Sequence, residues 1–353
     1  MQRDELIALI HGGEMISRVD LSAMDLSFAN LEGAMFEDVS LAGCNLVGAS
    51  LKESSFLGCD FTGADLSSAN LHHLIVHKGS LARARLRGAQ MIAVKMIEPD
   101  LAGADLTGAN LTIAALHKAD LTGADLTEAN LDRATFIKAR TGGMNLTGAK
   151  MKQTVLLAAD LRTSSLAAAK LDMAVLIDSN FAGANLAGLQ APMTQFAGGN
   201  LEGCDLTGAA LSRASFKGAN LVGATLDEAM ADNAMFVEAK LGRASLKKAK
   251  LRQALFVDAD LAGADASGAD LYQCAFHRAR CAGARFNGAE LTYADFSHAD
   301  VSAADFSRAT LFRARFHRIN EQDTIWSGRA AALGNDEELA RAEDWRPAPQ
   351  PEG

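Results

Sequence analysis

From Leu21 to Phe316 every fifth residue is Leu, Phe, Met or Val with few exceptions, for sixty consecutive units without an insertion or deletion. Two residues before each large residue stands a small one, mostly Ala, as at Ala64, Ala69, Ala104 and Ala109. Between them sits Asp, Asn, Ser or Lys, and Ser, Thr and Gly follow. Residues two apart in an extended chain share a face, so the small and large residues point one way and the residue between them points the other. The Gly-, Ser- and Thr-rich remainder suits a turn. Each unit is therefore a short extended piece and a corner, and such a chain buries its apolar side only by coiling around it.

The phenylalanines set the coil. Phe36, Phe56, Phe136, Phe196, Phe216, Phe236, Phe256, Phe276, Phe296 and Phe316 all fall on one position of a twenty-residue period. Twenty residues are four units, which predicts four walls and about fifteen coils, stacked at ~4.8 Å into a rod on the order of 70 Å long.

The stretch "GADLTGANL" at 103–111 resembles the pentapeptide-repeat family, whose motif is written A(D/N)LXX, and the resemblance runs from about Ile16 to Arg318. It implies an all-β solenoid, a right-handed quadrilateral parallel β-helix. The expected organisation is a capping helix in 1–15, the β-helix in 16–318, and in 319–353 a capping segment with a short helix and a disordered tail beyond Pro347. "RDELIALIHGG" at 3–13 reads as an amphipathic helix presenting Leu6, Ile7, Leu9 and Ile10, stopped at Gly12 and Gly13. "NDEELARAEDWRP" offers Asn335 and Glu338 as a capping box, with Leu339, Ala342 and Trp345 to cover the final coil. Thr141 and Ala191 stand in large slots beside bulky Met144 and Leu189 in small ones, and Ala231 and Ala266 leave narrow coils. Pro99 and Pro192 predict local irregularity, because proline cannot donate to a ladder.

Chemistry is sparse in this pattern. The five cysteines, Cys44, Cys59, Cys204, Cys274 and Cys281, occupy inward slots and read as small apolar residues. Recurring acids such as Asp100/Asp105 and Asp120/Asp125 keep the spacing of the repeat, as hydrogen bonding and solvation of an outer wall require. His72, His73 and His77 lie close together without a carboxylate or thiolate at metal-ligand spacing. No phosphate loop, nucleophile set or CxxC is present, so the expectation is a protein without catalysis, cofactor or metal. A net charge of −9 and a pI near 5.4 argue against direct nucleic-acid binding. No apolar run approaches a membrane span, and the N-terminus does not read as a signal peptide, which points to the cytoplasm.

Binding is what remains. The wall carrying the Phe column has apolar outward neighbours, Ile75, Ile97, Ile137, Val155, Leu157, Val175 and Ile177, then Met235, Val237, Leu255 and Val257, which predicts a protein-binding stripe. His77, His117, His277 and His317 share one outward position on it. Lys240, Arg243, Lys247, Lys248, Lys250 and Arg252 form a basic cluster, read as a solvated, salt-bridged surface. The expected function is an interaction scaffold whose partner is another protein or a second copy of the chain. The terminal segments "VDLSAMDLSFANL" and "LGNDEELARAEDWRP" look similar to pentapeptide proteins that accompany bacterial type VI secretion components. The alternative that the family implies is an acidic DNA mimic binding type II topoisomerase (gyrase). Against it stand 34 basic residues beside 43 acidic ones. A third reading is a spacer whose length is its function.

Overall fold

A computed structural model of the chain describes residues 1–346; the tail expected beyond Pro347 lies outside the described residues. Helix α1 (Arg3–His11) is followed by a parallel β-solenoid of about sixteen turns and closed by helix α2 (Glu337–Asp344). One wall begins as eight short strands paired in chain order: β1 (Met15–Ser17), β2 (Met35–Glu37), β3 (Ser55–Leu57), β4 (Ile75–His77), β5 (Lys95–Ile97), β6 (Ala115–His117), β7 (Thr135–Ile137) and β8 (Val155–Leu156). The other walls, and this one beyond Val155, are ladders of single bridges twenty residues apart, such as Asp20↔Ser40 and Val155↔Val175. The ladder starts one unit before Leu21 and runs on to β9 (Asp305–Phe306) paired with β10 (Ile325–Trp326), which adds a turn to the count made from the large residues.

Each of the five positions owes its residue type to where its N–H goes. The large residue donates to the next coil (Leu21 N to Ser40 O, 2.8 Å), and so does the corner residue (Ala23 N to Ala42 O, 2.9 Å). The residue before the large one donates to the preceding coil (Asn45 N to Met24 O, 3.0 Å). The small residue closes the turn (Met24 N to Leu21 O, 3.1 Å). The one N–H left over is taken by the Asp or Asn side chain, as Ser22 N to Asp20 Oδ1 at 2.9 Å. Corner residues have φ near +60°, which explains the glycines there. At Gly48 there is a second reason, because the exposed ring of Phe28 lies where a Cβ would come within 2.7 Å.

Contrary to expectation, the prolines leave the ladder regular. Along β2 to β7 the corners are open: Val39, Cys59, Gly79, Ala119 and Ala139 close no backbone turn bond, and Pro99 occupies the equivalent position. Pro192 stands where only a side chain would have met its N–H. Ladder bonds around both are intact, with Asp120 N to Pro99 O and Met173 N to Pro192 O at 3.0 Å. Proline removes a donor that the ladder does not use.

The core is the column of large residues, and Phe196 through Phe316 stack with ring centroids 4.4–5.1 Å apart. Small slots holding Ser, Thr or Cys are satisfied internally: Ser54 Oγ donates to Leu31 O at 2.8 Å, and the Cys274 thiol to Leu251 O at 2.9 Å. At the N-terminus Leu6 and Ile10 of α1 are buried, as the amphipathic pattern predicts.

The C-terminal cap differs from the sequence reading. Asp336, not Asn335, caps α2, accepting from Glu338 N and Leu339 N, because its own N–H is held by His317 Nδ1 at 3.1 Å. Leu339, Ala342 and Trp345 are exposed. The end of the core is covered instead by Trp326, stacked on Phe306 at 4.6 Å, with the Arg329 guanidinium 5.0 Å from its ring.

Candidate functional site

The wall of β1 to β8 is flat because its side chains alternate in and out on rungs in exact register, Phe36 opposite Phe56 and Glu37 opposite Leu57. Ile75, Ile97, Ile137, Leu157, Met235 and Leu255 are exposed, the last 37% and Ile75 44%. Val155, Val175, Ile177, Val237 and Val257 are half-buried. The structure divides the stripe. Ile137, Val155, Leu157, Val175 and Ile177 form a central patch on consecutive rungs. Gln195, Ser215 and Lys217 then interrupt it, and Met235, Val237, Leu255 and Val257 make a second patch. Ile75 and Ile97 stand apart, beside His77 and Lys95.

Sequence reasoning missed part of this face. Met15, Met35 and Leu57 are exposed on the same wall, and Met193 is exposed at the corner that leads into it, where Met173 widens the central patch. Corner positions were read as turns, so their apolar residues went uncounted. Ile113 is exposed in the same corner column, and the neighbouring surfaces are also not free of exposed apolar residues, since Phe28, Met230 and Phe312 lie outside the wall. Continuity on one wall, and not exposure as such, distinguishes the central patch.

The histidine column behaves unevenly. His77 and His117 are partly exposed, and His277 Nε2 lies 3.1 Å from Asp295. His317 is fully buried, because α2 covers it. His317 Nε2 and His298 Nε2 both meet the Glu343 carboxylate at 3.2 Å, and Arg318 Nε joins it at 3.2 Å. Arg318 also reaches Asp344 and Ala340 O. His298, His317 and Glu343 converge closely enough to hold a metal ion, and no sequence spacing announced them. Their chemistry does not fit one. His317 Nδ1 accepts a backbone N–H, so the proton sits on Nε2, the nitrogen that would have to ligate. The cluster is a latch that docks α2. His72, His73 and His77 gather no such group among the described residues.

The cysteines are buried and free. Burial pushes the Cys204 thiol up to about 11, and those of Cys274 and Cys281 higher still, so none is a poised nucleophile. The basic cluster is partly paired, through Lys247–Asp265 at 3.5 Å and Arg252–Asp270 at 3.6 Å, and Arg252 also lies over the Tyr272 ring.

The repeating acids lock corners. The hydroxyl and N–H of Ser22 hold Asp20 below the usual carboxylate range, and Ser307 does the same for Asp305. A depressed folded-state pKa stabilises the fold above the unfolded value of 3.8 and ceases to do so as pH falls through the folded value. Thermal unfolding followed by circular dichroism is expected to show a midpoint nearly constant from about pH 8 to 5 and falling below about pH 4. A midpoint rising on acidification contradicts this role.

Profiles of pentapeptide repeats match residues 16–52, 44–76, 80–112, 114–153, 269–308 and 289–320, and one described as "Pentapeptide repeat region" matches 209–286. The chain belongs to the pentapeptide-repeat family. Three solved structures are similar to parts of the chain. QnrB1, described as a plasmid-mediated fluoroquinolone resistance protein, is 21% identical over 51% of this chain and 89% of its own, with a TM-score of 0.47. HetL, described as involved in heterocyst differentiation regulation in the cyanobacterium Nostoc sp. strain PCC 7120, is 24% identical over 89% of this chain and 96% of its own, with a TM-score of 0.18. Rfr23 from the cyanobacterium Cyanothece 51142 is 21% identical over 40% and 92%, again with a TM-score of 0.18. No curated protein matches the chain. Among the described residues no helix is long and apolar enough to cross a membrane.

Proposed function

We propose that this pentapeptide-repeat protein is a non-catalytic interaction scaffold that uses the flat apolar wall to hold a protein partner, which includes a second copy of itself. The carrying observation is the central patch: five apolar side chains on consecutive rungs, widened by Met173 and Met193 and covered by nothing in the described chain. Pooled apolar exposure of this kind marks contact sites more than scattered residues do. The likeness of the terminal segments to type VI accessory proteins supports a bacterial, cytoplasmic setting and a secretion component as the partner class.

Light scattering after size exclusion tests the self-association arm, with wild type beside an Ile137→Asp/Leu157→Asp variant of unchanged circular dichroism. A dimer that becomes a monomer makes the wall a homotypic interface. A monomer in both leaves a different protein as the partner. The gyrase reading rests on the family, and the 34 basic residues beside 43 acidic ones count against it. It predicts inhibition or protection in a supercoiling assay at micromolar protein, and no effect removes it.

A further inference from the structure

One stretch of the ladder is not closed. Between the coil at 138–143 and the next at 157–162, the bonds expected from Lys138 N, Thr141 N, Gly143 N and Asp160 N are all missing, although their equivalents one coil earlier (Lys118, Leu121, Gly123 and Arg140) are made. The bridges Arg140↔Asp160 and Ser165↔Asn185 are absent from columns that are otherwise continuous. On the adjoining wall Leu166 N, Ala168 N and Asn185 N also lack their rungs, as does Thr163 N at the corner. Two notches mark the gaps. One, of about 420 Å³, is lined by Arg140, Thr141, Gly142 and Asp160; the other, of about 460 Å³, by Ser164, Leu166, Asn185 and Ala187.

Side-chain volumes explain the opening. Thr141 replaces a large residue and turns its hydroxyl to Asp160 O at 2.9 Å, the carbonyl its own N–H would have used. Met144 crowds a slot meant for Ala, and Ser164 directs its hydroxyl to Thr141 O at 3.2 Å. Asp160 turns to Arg162 within its own coil through two bonds of 2.9 and 2.7 Å. The family profiles likewise leave 154–208 unmatched.

On the other two walls most rungs hold, Lys150↔Lys170 and Val155↔Val175 among them, and the apolar wall loses only the Ile137↔Leu157 pair beside Lys138. We propose that residues 138–168 form a built-in hinge, joining two cooperative halves of the rod along these two paired walls. Opening the seam bends the rod toward them, so the apolar wall that carries Val155 and Val175 becomes concave. In a solenoid, coupling between neighbouring coils is local, so one weak interface divides the cooperative unit. The hinge stands whether or not that wall binds a partner.

Hydrogen exchange read by mass spectrometry on the wild-type protein tests it. The amides of Thr141, Gly143, Asp160, Thr163, Leu166 and Ala168 are expected to exchange roughly 100-fold faster than Leu121, Gly123, Leu126, Arg140, Leu186 and Gly188 on intact rungs. Uniform protection along the rod overturns the proposal, with or without any partner. A Thr141→Leu/Met144→Ala/Ser164→Ala variant, which restores the repeat, is expected to slow exchange at the seam to that of its neighbours. Fast exchange persisting in the folded variant overturns the assignment to these side chains. The wild-type measurement decides the hinge even if the variant does not fold.

Discussion

Phe236→Ala is expected to lower the unfolding free energy by about 3–5 kcal/mol, measured by chemical denaturation. Its ring lies between those of Phe216 and Phe256 at 5.0 and 4.9 Å, with planes within 3° of both, and it is fully buried. A globular core can settle into part of such a cavity. Here the coil spacing is fixed by backbone ladders on four walls, so the rings above and below cannot close the gap. Phe236→Leu fills most of the slot and is expected to cost about 1 kcal/mol. A loss under about 1 kcal/mol for the alanine variant would mean that the column is not a continuous stacked core.

Ending the chain at Asn320 is expected to turn a discrete species into concentration-dependent aggregates, read by light scattering. The deletion removes Trp326, stacked on Phe306 and edge-on to Phe316, and the Arg329 guanidinium that lies over Phe316 and Trp326. It also strips β10 from β9 and leaves a parallel strand edge open. Loss of α2, by ending the chain at Gly334, removes the polar latch of Glu343 but keeps Trp326 and the Arg315↔Leu333 bridge, and is expected to have the smaller effect. Equal behaviour of both truncations would place the cap in α2 and not in Trp326.

The repeat made the fold legible because one period fixes every wall at once. Leu and Ala define the inside, Asp and Asn the corner bond, and the Phe spacing the four-unit turn. What stayed hidden has local causes. The prolines were misjudged because the period does not say which N–H enters the ladder. The cap of α2 shifted by one residue because His317, nineteen positions earlier, claims the Asp336 N–H. The Glu343 cluster joins residues 45 and 26 positions apart, outside any periodic signal. Thr141 and Met144 were visible as irregular packing. That they open the ladder required knowing which carbonyl the Thr141 hydroxyl would take.

For the candidate wall, the sequence placed the apolar residues on one face but could not show the break at Gln195 to Lys217 or the contribution of Met173 and Met193. The middle of this wall is the proposed contact surface. It is tested most directly by placing a photo-crosslinking amino acid in turn at Leu157 and Ile177, and at Thr127 and Thr147 on the opposite wall, in cells. Leu157 and Ile177 are expected to give one discrete crosslinked species that Thr127 and Thr147 do not give. Crosslinks from all four positions alike, or from the opposite wall alone, would contradict it.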